Sequence, residues 1–394
     1  MSLPAQQLTA PRPHHIYALL YAGFFLTGIV TTFLGPLLPT LAARWQINDI
    51  QSGYLFTALS VGGMAGALAS GFLVKRYGFA PLLTSSYLLM AGAVIVLPVC
   101  GWPVCLAAIF TGGLALGLVI PFSTLLVAEL APVRSAPALN ILNLFWGLGA
   151  VVSPLLMARL TQNYGLRATL WTLGGALLLF CGALWAGLKE TVKPHTETAT
   201  LPAPAKGYLP RRVMLFGLAT FIYVGTESAI GGWLTTYTNR LGMSATTLGA
   251  LANSLLWAGL LSGRALAPLF LAKISEEQLI MGGMSLALAG QALFLAGVSP
   301  LALAAGALLA GLGLGPIFPT LMALFTGRMR GAASWIKGFP FLLGNLGGAS
   351  LPWAVGLVSA ASGQLQTALF VPFLAGALLL PLTLLIRRQT RGDL

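Results

Sequence analysis

The nine residues GLALGLVIP at 113–121 return 198 positions later as GLGLGPIFP at 311–319. Gly113, Leu114, Leu116, Gly117 and Pro121 are matched by Gly311, Leu312, Leu314, Gly315 and Pro319. The same shift carries Gly149, Pro154, Gly165 and Thr169 onto Gly347, Pro352, Gly363 and Thr367. At a shift of 197, Phe24, Gly28 and Gly35 meet Phe221, Gly225 and Gly232; at 196, Gly53, Leu55, Leu59 and Gly63 meet Gly249, Leu251, Leu255 and Gly259. Leucine coincidences come cheaply in an apolar chain. A near-constant offset over four segment pairs, carried mainly by Gly and Pro, does not. The chain is an internal duplication.

Hydrophobic residues make up 57% of the 394, charged residues 7%, and the mean hydropathy is +0.88. So few charges cannot clothe a water-soluble surface, and the class expected is an all-α, polytopic membrane protein. A bilayer core takes about 20 residues of helix at 1.5 Å each. Apolar runs broken by Gly, Pro and charge give twelve such spans, near 15–41, 50–75, 79–100, 103–130, 136–162, 167–188, 212–239, 245–272, 277–298, 300–326, 331–360 and 365–387. The only long polar connection is KETVKPHTETATLPAPAKGYLPR at 189–211, whose Pro, Thr and mixed charge read as a flexible linker. The expected organisation is a six-helix half at 1–188, a cytoplasmic linker at 189–211 and a second six-helix half at 212–394.

The net charge of +13 is a topology signal. The first 13 residues are polar, Pro-rich and without an apolar h-region, so no cleavable signal peptide is expected and the start stays inside. With that placement, 17 of the 21 basic residues fall on cytoplasmic ends and loops, leaving Arg44, Arg159, Arg167 and Arg240 outside. That satisfies the positive-inside rule with both termini cytoplasmic. A bacterial plasma membrane is the expected location, with the lipid bilayer and not nucleic acid as the partner, and a monomer as the expected state. Cys100, Cys105 and Cys181 lie in or beside apolar segments with no metal-ligand or disulfide spacing, so packing is their expected role. No metal site or cofactor is expected. No G-x-S-x-G, Walker-type loop or H-E-x-x-H occurs, and an enzyme is not expected.

Two parallel six-helix halves joined by a cytoplasmic linker describe the major facilitator architecture, in which the solute site lies between the halves near the midplane. GFLVKRYG at 71–78 resembles that superfamily's G-x-L-x-D-R-x-G loop, with Lys75 at the acidic position and Phe79 where a basic residue usually follows. AELAPVRSA (128–136) and ALFTGRMRGAA (323–333) resemble the equivalent loops after spans four and ten, and suggest a cytoplasmic gate of Arg76, Glu129 and Arg134. Span seven (212–239), LLGNLGGASLPWAVG (342–356), TFLGPLLPTLAARW (32–45) and DIQSGYLF (49–56) are similar to the fucose–proton symporter family and the related sodium–glucose transporter-like branch. That resemblance implies a sugar or polyol-like solute. The acids expected of that branch in spans one and four are absent: Val30 is the repeat counterpart of Glu227, and span four reads Leu118-Val119-Ile120.

Of eight acids, Glu227 alone lies deep within a span, in YVGTESAIGGWLTTY at 223–237. A carboxyl at that depth costs a few kcal/mol on insertion scales and is a functional candidate by default. It is the expected coupling group for a proton or sodium ion; hydrogen-bonding to a neighbouring helix is the structural alternative. Tyr223 stands four residues earlier on the same face, with Trp233 and Tyr237 beyond, and Gly231-Gly232 weaken the helix where a gate would bend. Asn253, Trp257 and Arg264 share one face of span eight, with Arg264 read as counter-ion for Glu227, as anion ligand, or as snorkelling to the cytoplasm. Asn140, Asn143 and Trp146 in span five and Asn345 in span eleven complete the expected pocket, since amides in lipid are costly without a partner or cavity. The function expected is secondary transport of a small polar solute, a sugar preferred, coupled through Glu227. Export of drugs or lipid-like amphiphiles and a non-transporting receptor or scaffold are the alternatives.

Overall fold

The structure, a computed structural model, describes residues 14–131, 135–188, 210–242, 246–297, 299–329 and 334–391. Among these, every regular element is a helix. Span one is broken into α1 (His14–Thr32) and α2 (Leu34–Trp45). Pro36 has no N–H to give the Thr32 carbonyl, and the Thr32 hydroxyl turns back to Gly28 O at 3.0 Å. Spans two, three and four are α3 (Asp49–Tyr77), α4 (Phe79–Val96) and α5 (Val104–Leu130). A capping box starts α3, with Asn48 Oδ1 accepting from Gln51 N at 2.9 Å and Gln51 Oε1 from Asn48 N at 3.0 Å.

Spans five and six run on as α6 (Ser135–Leu188), bent at Gly165, where φ is 79° and ψ 165°. Spans seven, eight and nine are α7 (Pro210–Arg240), α8 (Thr246–Leu271) and α9 (Glu276–Ala296). Span ten divides at Gly315-Pro316 into α10 (Pro300–Leu314) and α11 (Ile317–Arg328), because Pro316 and Pro319 withdraw two successive ladder donors on one side. Span eleven is α12 (Ser334–Ser362), and span twelve is α13 (Leu365–Ala368) followed by α14 (Phe370–Arg391). Eleven helical segments are long and apolar enough to cross a bilayer, and the 52-residue segment at 137–188 holds two crossings around Gly165. The described chain is an integral membrane protein of twelve crossings. Its span limits agree with the sequence reading to within a few residues; the additions are the proline breaks in spans one and ten, the short α13 and the direct turn at Gly165.

The duplication is visible in individual contacts. A Cβ on Gly113 or Gly117 of α5 would strike the Leu59 or Gly63 carbonyl of α3. Gly311 and Gly315, their counterparts, back in the same way onto the Leu256 and Leu260 carbonyls of α8. Gly149 meets Phe25 O, and Gly347 meets Phe221 O. Gly165 and Gly363, again 198 apart, both turn with positive φ, at 79° and 71°. Lipid offers helices no hydrophobic reason to associate, so backbone approach through small residues holds each half together. Within the first half α3 packs on α5 and α1 on α6; within the second, α8 packs on α10 and α7 on α12. The halves meet through α3–α12, α6–α8 and α2–α7.

Replacing a crossing glycine with valine forces the two backbones apart, which costs about 1–3 kcal/mol in a packed interior. Gly113→Val and Gly311→Val are each expected to lower the melting temperature of the purified protein by several degrees. Gly92→Val is the control, since nothing lies within 4 Å of its would-be Cβ. Equal melting of all three would refute this packing.

Candidate functional site

An even number of crossings puts His14 and Arg391 on one face of the bundle, the terminal face, and Asp49, Arg240 and Ser362 on the opposite face. On the opposite face the halves are tied together. Arg240 at the end of α7 donates to both carboxylate oxygens of Asp49 at the start of α3, at 2.6 and 2.8 Å. Ser359 of α12 donates to the same carboxylate at 2.5 Å. One acid of the first half is therefore held by two elements of the second. Beside this lock, and lined in part by Asp49 and Arg240 themselves, lies a cavity of about 250 Å³ that also touches Leu38, Ser52, Trp233 and Thr236.

From the lock, α3 and α12 close like a seam toward the middle of the bundle. A Cβ on Gly53 would lie 2.8 Å from Trp353 Cα, and the Thr57 hydroxyl donates to Ala349 O at 2.8 Å. Gly35 of α2 backs onto the Gly231 carbonyl of α7, and Gly232 onto the Phe56 ring. Gly231-Gly232 thus serves close approach between halves, within a helix that runs unbroken to Arg240. Further along, the space at Gly348 is flanked by Ser60 of the first half and Ser228 of the second, 3.2 and 3.4 Å from its would-be Cβ.

The second seam is α6 against α8. Trp146 meets the Trp257 ring edge-on at 6.0 Å, with Ala150 and Leu260 packed around them. Arg264 sets its guanidinium 5.6 Å above the Trp146 ring. The Trp146 indole N–H reaches Thr31 of α1 at 3.4 Å, which fixes the ring from the first half. On α7, the Tyr223 ring is 1% exposed and stacks on Phe318 at 5.9 Å. Its hydroxyl interacts electrostatically with both Glu227 and Arg264. Glu227 and Arg264 are each partly exposed, and no ion pair joins them among the described residues. Tyr223 Oη, Trp257 Nε1 and Arg264 Nε are buried with no hydrogen-bond partner of ordinary geometry.

Six of the sequence-read residues are therefore drawn to two junctions between the halves: Tyr223, Glu227, Arg264, Trp257 and Trp146 together, and Asn345 beside Gly63 of α3. Others are engaged elsewhere. The Trp233 indole donates to Pro352 O at 2.9 Å, Tyr237 Oη donates to Leu295 O at 3.3 Å, and the Asn253 amide donates to Gly231 O at 2.8 Å and Thr235 Oγ1 at 3.1 Å. Asn143 and Asn345 bond carbonyls of their own helices, Leu139 O and Phe341 O, each at 2.9 Å, and Asn140 is exposed. Arg76 lies over the Tyr77 ring at 5.2 Å, Glu129 is exposed at the end of α5, and Arg134 lies outside the described residues. The lock residues Asp49, Arg240 and Ser359 and the seam residues Ser60 and Ser228 were not read from the sequence as site residues; Thr57 reads there as a weak candidate, since Thr can bond its own helix carbonyls, and its hydroxyl reaches both Gly53 O and Ala349 O. The signal for the lock was there, since Asp49 and Arg240 carry opposite charges at span ends on the same face.

The sequence profile of the Major Facilitator Superfamily matches residues 20–352. The chain is 30% identical over 173 residues to a 4-hydroxybenzoate transporter, PcaK, of Pseudomonas putida, a match that covers 43% of this chain and 38% of that protein. It is 24% identical over 290 residues to sodium-dependent glucose transporter 1A of Mus musculus, covering 64% of this chain and 68% of that one. The crystal structure of a bacterial homolog of the human lysosomal transporter Spinster, inward-facing and unoccupied, superposes with a TM-score of 0.78 at 13% identity, over 98% of this chain and 99% of that one. At that identity the likeness is one of fold.

An ion pair near a surface contributes about 0.2–1 kcal/mol. Asp49→Asn should therefore raise the fraction of molecules open at the opposite face only by about 1.4- to fivefold. The readout is the labelling rate of Ser52→Cys, which is buried beside the lock, by a membrane-impermeant maleimide. An unchanged rate would mean that the Asp49–Arg240 pair does not hold this face shut.

Proposed function

The chain belongs to the Major Facilitator Superfamily, and on that footing we propose that it is a secondary transporter that moves a small polar solute by alternating access, with a proton carried on Glu227. One observation carries this reading: a carboxylate deep in an apolar helix, partly exposed, beside Tyr223 and Arg264 at the junction of two halves that are tied together at the opposite face. A carboxyl at that depth is costly to insert even with the Tyr223 hydroxyl beside it. The tie across one face and the exposure of Glu227 leave the terminal face as its route to water. The basic residues of the chain argue that this face is cytoplasmic, so the conformation is the inward-facing one, in a bacterial plasma membrane, with the protein acting as a monomer.

In this reading, residues 1–188 and 212–394 are the rocking halves and 189–211 the linker between them. Opening the outer face requires the Asp49 lock and the α3–α12 seam to part. The terminal ends then close over Tyr223, Glu227 and Arg264. Proton binding to Glu227 removes one charge from the low-dielectric interior as the site becomes occluded. Sodium in place of the proton would need a cage of oxygen ligands around that carboxylate, and the donor-rich surroundings favour the proton. The sugar suggested by resemblance is supported by the glucose-transporter relative, while the Pseudomonas relative names an aromatic acid. Both classes belong in the test.

Proteoliposomes holding a pH dye are given hexoses and organic acids in turn, with wild type beside Glu227→Gln. A solute of one class is expected to alkalinise the outside with wild type. Glu227→Gln should reduce that proton movement about 100-fold or more, the scale of a lost general acid–base group, while exchange of labelled solute for unlabelled persists. Proton uptake undiminished in Glu227→Gln would refute the assignment.

A further inference from the structure

The charge state of the junction narrows the solute class. Arg264 is a partly exposed cation in the last two turns of α8 with its Nε buried and unpartnered. Glu227, the obvious counter-ion, does not pair with it; the Tyr223 phenol stands between them and faces both. Two buried donors, Trp257 Nε1 and Arg264 Nε, lack acceptors, whereas the Tyr223 hydroxyl has the Glu227 carboxylate beside it. Such groups each cost free energy while unmade. What is missing is an acceptor, and beside a guanidinium the acceptor that fits is an anion with two oxygens.

From this we infer that the transported solute is a small organic monocarboxylate, bound by Arg264 and flanked by the Trp146 and Trp257 rings. The inference rests on the reading of this junction as the solute site. Its electrostatics also supply the coupling. Empty, the site holds Arg264 positive and Glu227 negative and is net neutral. Loaded with a carboxylate and a proton on Glu227, it is neutral again. Either ligand alone leaves one net charge, which closure of the halves would bury unpaired. The empty and doubly loaded forms are the two that reorient, so acid and proton move together and no net charge crosses. A neutral sugar with a proton would leave the loaded site at plus one.

Other charges near α7 do not disturb this count. Arg44 of α2 lies toward the opposite face, while Arg328 of α11 and Arg387 and Arg388 of α14 lie toward the terminal face. Lys337 stands in the first turn of α12, also at the terminal end. Arg328 is moreover paired with Glu277 at 2.6 Å.

The test uses the full-length protein and a panel of benzoate, nicotinate, gluconate and lactate, each beside its uncharged amide, with glucose added. Binding is read from tryptophan fluorescence and uptake from proteoliposomes clamped at different potassium diffusion potentials. At least one acid should bind about 10- to 100-fold more tightly than its amide, the range of a hydrogen bond to a charged group. Arg264→Gln should erase that preference and Arg264→Lys keep part of it. Uptake with wild type should not respond to the membrane potential.

The inference is overturned if no acid outbinds its amide, if the preference survives Arg264→Gln, or if solute uptake carries positive charge inward. Should Arg264→Gln fail to fold, the acid–amide comparison and the potential dependence in wild type decide alone. Glucose-driven, charge-carrying proton uptake that still requires Glu227 would sink this inference and leave the proposed function standing. Absence of any solute-driven proton movement would sink both.

Discussion

Glu227 and Arg264 share one junction of an apolar bundle without forming an ion pair. Two opposite charges there gain most from meeting each other, and a protein built only for stability would let them meet or replace both with apolar residues. Here they sit on different helices of the second half with the Tyr223 phenol between them and partial exposure to relieve the desolvation. Thr31 and Trp146 of the first half orient the surface under Arg264, and Phe318 backs Tyr223.

Glycine makes such a gap compatible with tight packing. Within each half, carbonyl-to-glycine crossings such as Gly113 on Leu59 and Gly311 on Leu256 lock helices into rigid bodies. Between halves the contacts are of another kind. They are the short seam from Asp49 to Ser60 against α12, the Gly35–Gly231 approach, and the aromatic pair of Trp146 and Trp257. Rigid halves with few polar ties across the seam are what rocking requires, and the tie with the strongest polar character, Asp49 to Arg240 and Ser359, lies at the face that must open.

The fold was legible because membrane helices announce themselves by hydropathy and because the Gly and Pro positions of one half are repeated in the other. Gly165 and Gly363 turn the chain at matching places for the same reason, a positive φ that other residues adopt at a cost. Tyr223 and Glu227 were legible as a pair from their spacing on one helix, and Trp257 and Arg264 likewise. The proline breaks at Pro36 and Pro316 were not, since a proline in an apolar run kinks one helix and divides another. Trp233, Tyr237 and Asn253 show a second limit: a polar tip on an apolar helix reads the same whether it faces a ligand or a carbonyl. In the structure their polar atoms reach Pro352 O, Leu295 O and Gly231 O. For the lock of Asp49 on Arg240, 191 residues apart, the sequence offers opposite charges at span ends on one face, but which of them meet is decided by tertiary packing.

The central claim is that the α3–α12 seam must part for solute to pass. It is met most directly by joining that seam covalently. Thr57→Cys with Ala349→Cys places two thiols on facing positions of the seam, where the Thr57 side chain already reaches the Ala349 carbonyl at 2.8 Å. The account predicts that oxidising the pair stops solute-coupled proton uptake and that a reductant restores it, with each single variant unaffected by the oxidant. Uptake that continues at full rate with the cross-link complete would contradict it.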